Sequence, residues 1–234
     1  ALKDGDKPFV TESGLNATYQ STIDILSDAG IPHEFGGHTS KALEQCDLII
    51  TSPGVPPTSP IILEAESRGI SIISELEYAA SHVSNPIISI TGTNGKTTTT
   101  ALTAFLFNNA GKKAIAAGNI GTPLSEYVHE IDPSTILVIE ASSYQLDRIK
   151  EDKPKVGMIL NITPDHLNYH GTFESYKKAK WKTSLNQDEN DIVILNADNL
   201  DAAACAEISR ANIQFFSMNP VQQGAYMREN QLVF

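Results

Sequence analysis

From position 92 the chain reads Gly92-Thr-Asn-Gly95-Lys96-Thr97, residue types that together suit the binding of phosphate. The glycines let backbone N–H groups come close to an oxyanion. Lys96 adds a full positive charge, and the Thr97 hydroxyl can ligate Mg²⁺. Thr93, Asn94 and Thr98 complete the segment that would meet a nucleotide. The spacing is tighter than the eight-residue Gly-x-x-x-x-Gly-Lys-Thr form, which would want a glycine at Ile90. Turn chemistry alone asks for neither the lysine nor the threonine.

Such a loop has to be placed by its flanks. Ile87, Ile88 and Ile90, entered through Pro86, read as a buried strand, and Ala101, Leu102, Ala104, Phe105 and Leu106 read as a helix. A second chemical signal stands at Glu140, directly behind the apolar strand 134–139. An acidic residue at a strand's carboxyl end, near a phosphate loop, is where Mg²⁺ on a nucleotide is held. A carboxylate there is costly to desolvate without a cation. Asn119, in Gly118-Asn-Ile-Gly121-Thr-Pro123, either binds a ligand or shapes the turn that leads to the next helix. His166 at a strand-to-helix junction is either a metal ligand or an ordinary polar residue. Asp165, after Thr163-Pro164, reads as a helix start. Lys177, Lys178, Lys180 and Lys182 in the helical stretch 172–186 read as a solvated basic face that singles out none of them.

Composition bounds the possibilities. The chain has 234 residues, enough for one large or two moderate domains, and a net charge of −11 that disfavours a nucleic-acid partner. No apolar run reaches the ~20 residues of a membrane span, and no signal-peptide pattern opens the chain. Cys46 and Cys205 stand far apart and read as two thiols in a reducing cytoplasm.

Strands and helices alternate along the whole chain. Strands are expected at 9–11, 31–35, 47–51, 70–73, 113–117, 155–161, 191–196 and 213–217, with helices at 17–29, 41–45, 61–67, 75–82 and 200–209. The pattern predicts an α/β class with parallel sheets: a Rossmann-like domain over 1–84, a polar linker at 83–86, and a phosphate-loop α/β domain over 85–234. Ligands of such sheets lie at the carboxyl ends of strands, where the turns 11–14 and 51–57 fall. The second, rich in Pro and Gly, is either a rigid substrate loop or a stiff connector. Residues 1–8 read as the end of a helix with Gly5 as its cap, and 225–229 with 232–234 as a hairpin across Asn230-Gln231. Both ends look cut, so the chain is expected to be a fragment.

Taken together, these motifs resemble the Mur ligases. Thr91-Gly-Thr-Asn-Gly-Lys-Thr97 is similar to their ATP loop, shortened spacing included. Glu140-Ala-Ser-Ser-Tyr-Gln-Leu146 is similar to the Glu-x-Ser-Ser-Phe-Gln-Leu segment of the branch that joins D-glutamate to UDP-N-acetylmuramoyl-L-alanine. Gly118-Asn-Ile-Gly121, Ser52-Pro-Gly-Val-Pro56, Asn161-Ile-Thr-Pro-Asp-His-Leu167 and Asn196-Ala-Asp198 follow in matching order. The resemblance implies a cytoplasmic bacterial ATP-dependent amide ligase, monomeric, without membrane or nucleic-acid partners, whose third domain is absent from this chain. It implies ATP and two Mg²⁺ ions as cofactors. Lys96, Glu140, His166 and Lys180 would be catalytic, with Thr97, Glu140, His166 and a carbamylated Lys180 at the metals. Asn119, Ser142 and Gln145 would contact the UDP-sugar, and the loop of Ser52, Pro53, Gly54 and Val55 would line its nucleotide end together with Thr11, Glu12 and Ser13. Asn168 and Asn199 stand where the family often has Asp. Another Mur-type ligase, folylpolyglutamate synthetase, or a non-catalytic nucleotide-binding module are the alternatives; the Ser142-Ser-Tyr-Gln145 segment argues against the first two.

Overall fold

The structure, a computed structural model, describes Leu2 and residues 5–234. The expected helix end at 1–8 falls partly on Ala1, Lys3 and Asp4, outside the described residues. Gly5 is left-handed at φ 88°, and its N–H donates to the Leu2 carbonyl at 3.1 Å. The chain forms two compact units, Ala1–Ile49 with Pro57–Ile72, and Ile50–Pro56 with Ile73–Phe234.

In the first unit β1 (Val10–Glu12) pairs in parallel with β2 (His33–Phe35) across α1 (Gln20–Asp28). One turn of 3-10 helix precedes α1, because the Asn16 side chain caps Thr18 N–H and starts the coil tightly. Along the chain β3 (Leu48–Thr51), α2 (Pro60–Ser67) and β4 (Ser71–Ser74) follow, with residues 50–51 and 73–74 counted to the second unit; β3 and β4 form a second two-stranded sheet. The short helix expected at 41–45 is a 3-10 turn at Ser40–Leu43. Pro60 at the first turn of α2 costs nothing, since its missing N–H would have no intrahelical acceptor. Leu43, Ile62, Ala65 and Ile72 are the buried apolar side chains of these segments.

The second unit is built on an eight-stranded sheet. α3 (Glu75–Ala80) leads to β5 (Ile87–Thr91), α4 (Lys96–Asn109), β6 (Ala114–Gly118), β7 (Ile136–Glu140), α5 (Ser143–Asp147) and β8 (Val156–Ile159). Then come α6 (Leu167–His170), α7 (Phe173–Trp181), β9 (Ile192–Asn196), α8 (Leu200–Ala203), β10 (Asn212–Ser217), β11 (Gly224–Arg228) and β12 (Gln231–Val233). The order across the sheet is β12-β11-β10-β9-β8-β5-β7-β6, parallel except for the β11–β12 pair. Strand order reverses at β5, so the crevice for a ligand opens at its carboxyl end.

β5 is buried along its whole length and alternates its side chains between two cores. Ile87 joins Leu137, Ile139, Leu76 and Leu146 on one face, and Ile88 and Ile90 join Val138 and Ala104 on the other. A third cluster sets Ile159, Val193 and Leu195 against Tyr176, Ala202 and Cys205. Truncating Leu137 to Ala would cost about 2–5 kcal/mol. α3 packs into the first of these cores through Leu76 and Ala79, which is why it belongs to the second compact unit although it precedes 83–86. Its Glu77 carboxylate accepts from the backbone N–H groups of Glu151 and Asp152 at 2.8 and 3.1 Å, tying the helix to the approach of β8.

Several expected elements are shorter than their patterns. The glycine turn 118–123 leads to a single 3-10 turn, Leu124–Glu126, rather than a helix. The stretch 172–186 is α7 followed by a 3-10 turn at Lys182–Ser184. In the β11–β12 hairpin the two left-handed turn residues are Glu229 and Asn230, one position earlier than expected.

Candidate functional site

The phosphate loop leaves β5 at Gly92 and ends at Gly95, which sits in the left-handed region at φ 84° and occupies the N-cap of α4. Glycine has no side chain to satisfy the first helical N–H groups, so they stay open to an external anion. Gly92 lies so close to the turn after β8 that an added Cβ would meet the Leu160 Cβ at 3.0 Å. The Lys96 ammonium folds back over the loop and donates to the Gly92 and Thr93 carbonyls, both at 3.0 Å. Thr98 is exposed on the first turn of α4.

On the β7 flank Glu140 is only 2% exposed. One carboxylate oxygen accepts from the Thr97 hydroxyl at 2.8 Å and the other from the Asn119 amide at 2.9 Å. Asn119 is brought there by Gly118, whose φ of 98° is matched by a wall: a Cβ would stand 2.5 Å from the Glu140 carbonyl. Asn119 shapes the turn and turns its amide onto a charged group. Ser142 and Gln145 form a capping box at the start of α5, with the Ser142 N–H donating to the Gln145 side-chain oxygen at 3.0 Å. Gln145 and Asn119 line a cavity of about 410 Å³ with Ser52, Pro53 and Glu75. Gly54 and Ser142 are not among its lining residues.

On the β8 flank Lys180 is 1% exposed and donates to the Gly92 carbonyl at 2.7 Å, with its ammonium 4.8 Å from the Tyr176 ring centre. Burial pushes this lysine down to about 7, and the nearby Lys96 charge pushes the same way. It is no member of a solvated basic face, as the lysine pattern of 172–186 suggested. Lys177 and Lys178 instead pair with Glu174. α7 aims Lys180 inward because Tyr176 and Ala179 on the same face are buried with it.

His166 is exposed, left-handed at φ 50°, and stands at the N-cap of α6, the place expected for Asp165. Its ring packs 4.9 Å from Tyr144, which also stacks on His170 at 5.9 Å. The His170 Nε2 lies 3.0 Å from the Ser143 hydroxyl, and burial holds its pKa below the usual imidazole value. Among the described residues no three His, Cys, Asp or Glu side chains form a metal cluster. The structure thus joins Thr97, Glu140 and Asn119 in one group and Lys96 and Lys180 in another around Gly92. His166 sits apart in the aromatic cluster. Thr11 hydrogen-bonds Glu34 at 2.8 Å and Ser13 hydrogen-bonds Glu12 at 3.2 Å, within the first unit.

Two contacts to the loop were not foreseen. Tyr176 OH lies 3.0 Å from the Thr93 hydroxyl, and the Asn161 side chain bonds the backbone of Asn94. Asn161 carried a local signal, a polar residue directly behind an apolar strand, like Glu140. Tyr176 carried none.

Fold and loop define the class first: a parallel α/β domain with a phosphate loop at the carboxyl end of a central strand. Residues 90–233 match the Mur ligase middle domain and residues 3–74 match the Mur ligase MurD-like, N-terminal domain. The chain belongs to the Mur ligase family. It is 42% identical over 231 residues to the UDP-N-acetylmuramoylalanine--D-glutamate ligase of Koribacter versatilis (strain Ellin345), covering 98% of this chain and 51% of that protein. With the ligase of the same name from Salinibacter ruber (strain DSM 13855 / M31) it shares 45% identity over 215 residues, 89% of this chain and 46% of that one. The chain spans about half the length of these curated relatives. Its fold is that of the crystal structure of UDP-N-acetylmuramate:L-alanyl-gamma-D-glutamyl-meso-diaminopimelate ligase from Neisseria meningitides. That likeness has a TM-score of 0.59 at 16% identity, over 96% of this chain and 73% of the other. No helix among the described residues is long and apolar enough to cross a membrane.

Proposed function

We propose that the protein carrying this chain is a cytoplasmic ATP-dependent ligase that forms the amide between UDP-N-acetylmuramoyl-L-alanine and D-glutamate. Residues 1–84 would bind the UDP-sugar and residues 85–234 would bind ATP. One observation carries the reading: the Thr97 hydroxyl meets the buried Glu140 carboxylate at 2.8 Å, beside the open N-terminus of α4. Among the described residues this buried carboxylate is met by the neutral Thr97 and Asn119 side chains, and a nucleotide's Mg²⁺ would supply a cation.

Thr97 and Glu140 present hard oxygens and fit Mg²⁺. When bound, that ion offsets negative charge on the phosphates. Lys180 fits carbamylation. With its pKa near 7 the amine is substantially uncharged at neutral pH, the form that adds CO₂. A carbamate would turn the Lys96–Lys180 repulsion into attraction. His166, exposed and with its Nδ1 3.6 Å from the Asp165 carboxylate, would ligate a second Mg²⁺.

The residues of this chain act by binding and placement. Open N–H groups of α4 receive the triphosphate, and Lys96 swings from the Gly92 and Thr93 carbonyls onto the transferring phosphoryl group. Asn119 and Gln145, in the 410 Å³ cavity with Ser52 and Pro53, orient the UDP-sugar. The alanyl carboxylate attacks the γ-phosphorus in line and ADP leaves, giving an acyl phosphate. The D-glutamate amine then attacks the acyl carbon, and phosphate departs. The test is phosphate release by the full-length protein with UDP-N-acetylmuramoyl-L-alanine, ATP and Mg²⁺, with and without D-glutamate. Release that requires D-glutamate supports the reading; uncoupled or absent release contradicts it and leaves a nucleotide-binding module.

A further inference from the structure

We propose that Asn161 is a positioning residue that presets the phosphate loop, and that Asn199 in turn fixes Asn161. The inference rests on reading the loop as the nucleotide site.

Asn161 lies in the turn that leaves β8. Its carbonyl accepts from Thr93 N–H at 2.9 Å, its side-chain oxygen accepts from Asn94 N–H at 2.9 Å, and its amide donates to the Asn94 carbonyl at 3.0 Å. Both polar groups of the Asn94 backbone are thus held by one side chain. Only an amide does this, because an aspartate would set a negative oxygen against the Asn94 carbonyl. The Thr93 hydroxyl adds a second stitch to the same turn, accepting from Thr163 N–H at 3.0 Å.

The turn itself is held in the same manner. The Asn199 side chain accepts from Ile162 N–H at 3.1 Å and donates to the Ile162 carbonyl at 3.2 Å, while the Asn196 amide donates to the Leu160 carbonyl at 2.8 Å. Asn199 also caps α8 by accepting from Ala202 N–H at 2.9 Å. A chain of amides therefore runs from the start of α8, through the β8 turn, to the phosphate loop. Its effect is to turn the N–H groups of Thr93 and Asn94 toward β8. Anion binding is left to Lys96 and the first turn of α4, and the loop is ordered before a ligand arrives. The asparagine at 199, where the family often has Asp, supplies the donor to Ile162 that an aspartate lacks.

Two measurements test this on the full-length protein. In the ligand-free state, amide hydrogen exchange at Thr93 and Asn94 should speed up about tenfold in Asn161→Ala, and less in Asn199→Asp, without a matching drop in global protection. Calorimetric affinity for Mg²⁺ with a non-hydrolysable ATP analogue should fall about tenfold in Asn161→Ala, the loss in KM for ATP exceeding that in kcat. Asn161→Ala combined with Asn199→Asp should add little to Asn161→Ala alone, since both act through one path. If Asn161→Ala does not fold, Asn199→Asp carries both readouts. Unchanged exchange or unchanged affinity in the folded variants overturns the proposal. A wild-type protein that binds no nucleotide overturns the ligase reading instead, while the exchange data still decide the role of Asn161.

Discussion

The two flanks of the phosphate loop meet the same six residues with opposite means. On the β7 side a buried carboxylate, Glu140, is held by Thr97 and Asn119. On the β8 side a buried lysine, Lys180, and the Asn161 amide grip the loop's backbone. The first flank offers negative charge toward the ligand space and leaves the loop's main chain alone. The second spends its polar groups on the main chain and fixes its shape. Charge placement and loop ordering are thus divided between neighbouring strands, and substitutions on the two sides should fail differently.

The largest losses are expected at the two lysines that bond the loop's own carbonyls. Lys96→Ala should reduce kcat/KM roughly 10²–10³-fold, as for removal of one preorganised charge donor at a reacting centre, measured by coupled phosphate release. Lys180→Ala should abolish activity in the full-length protein and regain part of it when a small carboxylate is added. Full activity in that variant would sink the carbamate proposal. On the opposite flank, Glu140→Gln keeps a partner for Thr97 but removes the charge, so the Mg²⁺ concentration for half-maximal activity should rise about 10–100-fold with little change in melting temperature.

How far these flanks could be read in the sequence follows from how local their signals are. Glu140 stands directly behind its own strand, and the loop, β5 and α4 are contiguous, so periodicity and glycine spacing were enough. The β8 flank is built from contacts between residues 67 to 88 positions apart, such as Asn161 with Asn94 and Lys180 with Gly92. Nothing in the run of lysines around Lys180 tells which one faces inward; burial of Tyr176 and Ala179 decides that, and it is a tertiary fact. Helix ends were misplaced for a related reason. Thr163-Pro164-Asp165 carries every local mark of a helix start, yet the left-handed backbone at His166 delays the helix by one residue.

The smallest effect on activity lies away from the loop and serves as a control on the whole unit. Burial pushes the Asp152 carboxyl up to about 6, with the neighbouring Glu77 charge adding to the rise. The folded state therefore holds a proton that the unfolded state releases near pH 4, so stability falls as pH rises from about 4 to about 6 and is level above. Asp152→Asn should remove that slope and stabilise the protein at pH 7 by about 2–3 kcal/mol, with ATP affinity unchanged. An unaltered pH–stability profile in the variant would show that the carboxyl is not held in its neutral form.

The most direct test of carboxylate activation at this loop follows one oxygen. With the alanyl carboxylate of UDP-N-acetylmuramoyl-L-alanine labelled with ¹⁸O, transfer through an acyl phosphate leaves one labelled oxygen in each released inorganic phosphate. Mass spectrometry of that phosphate should find it. Unlabelled phosphate alongside amide product would contradict the account.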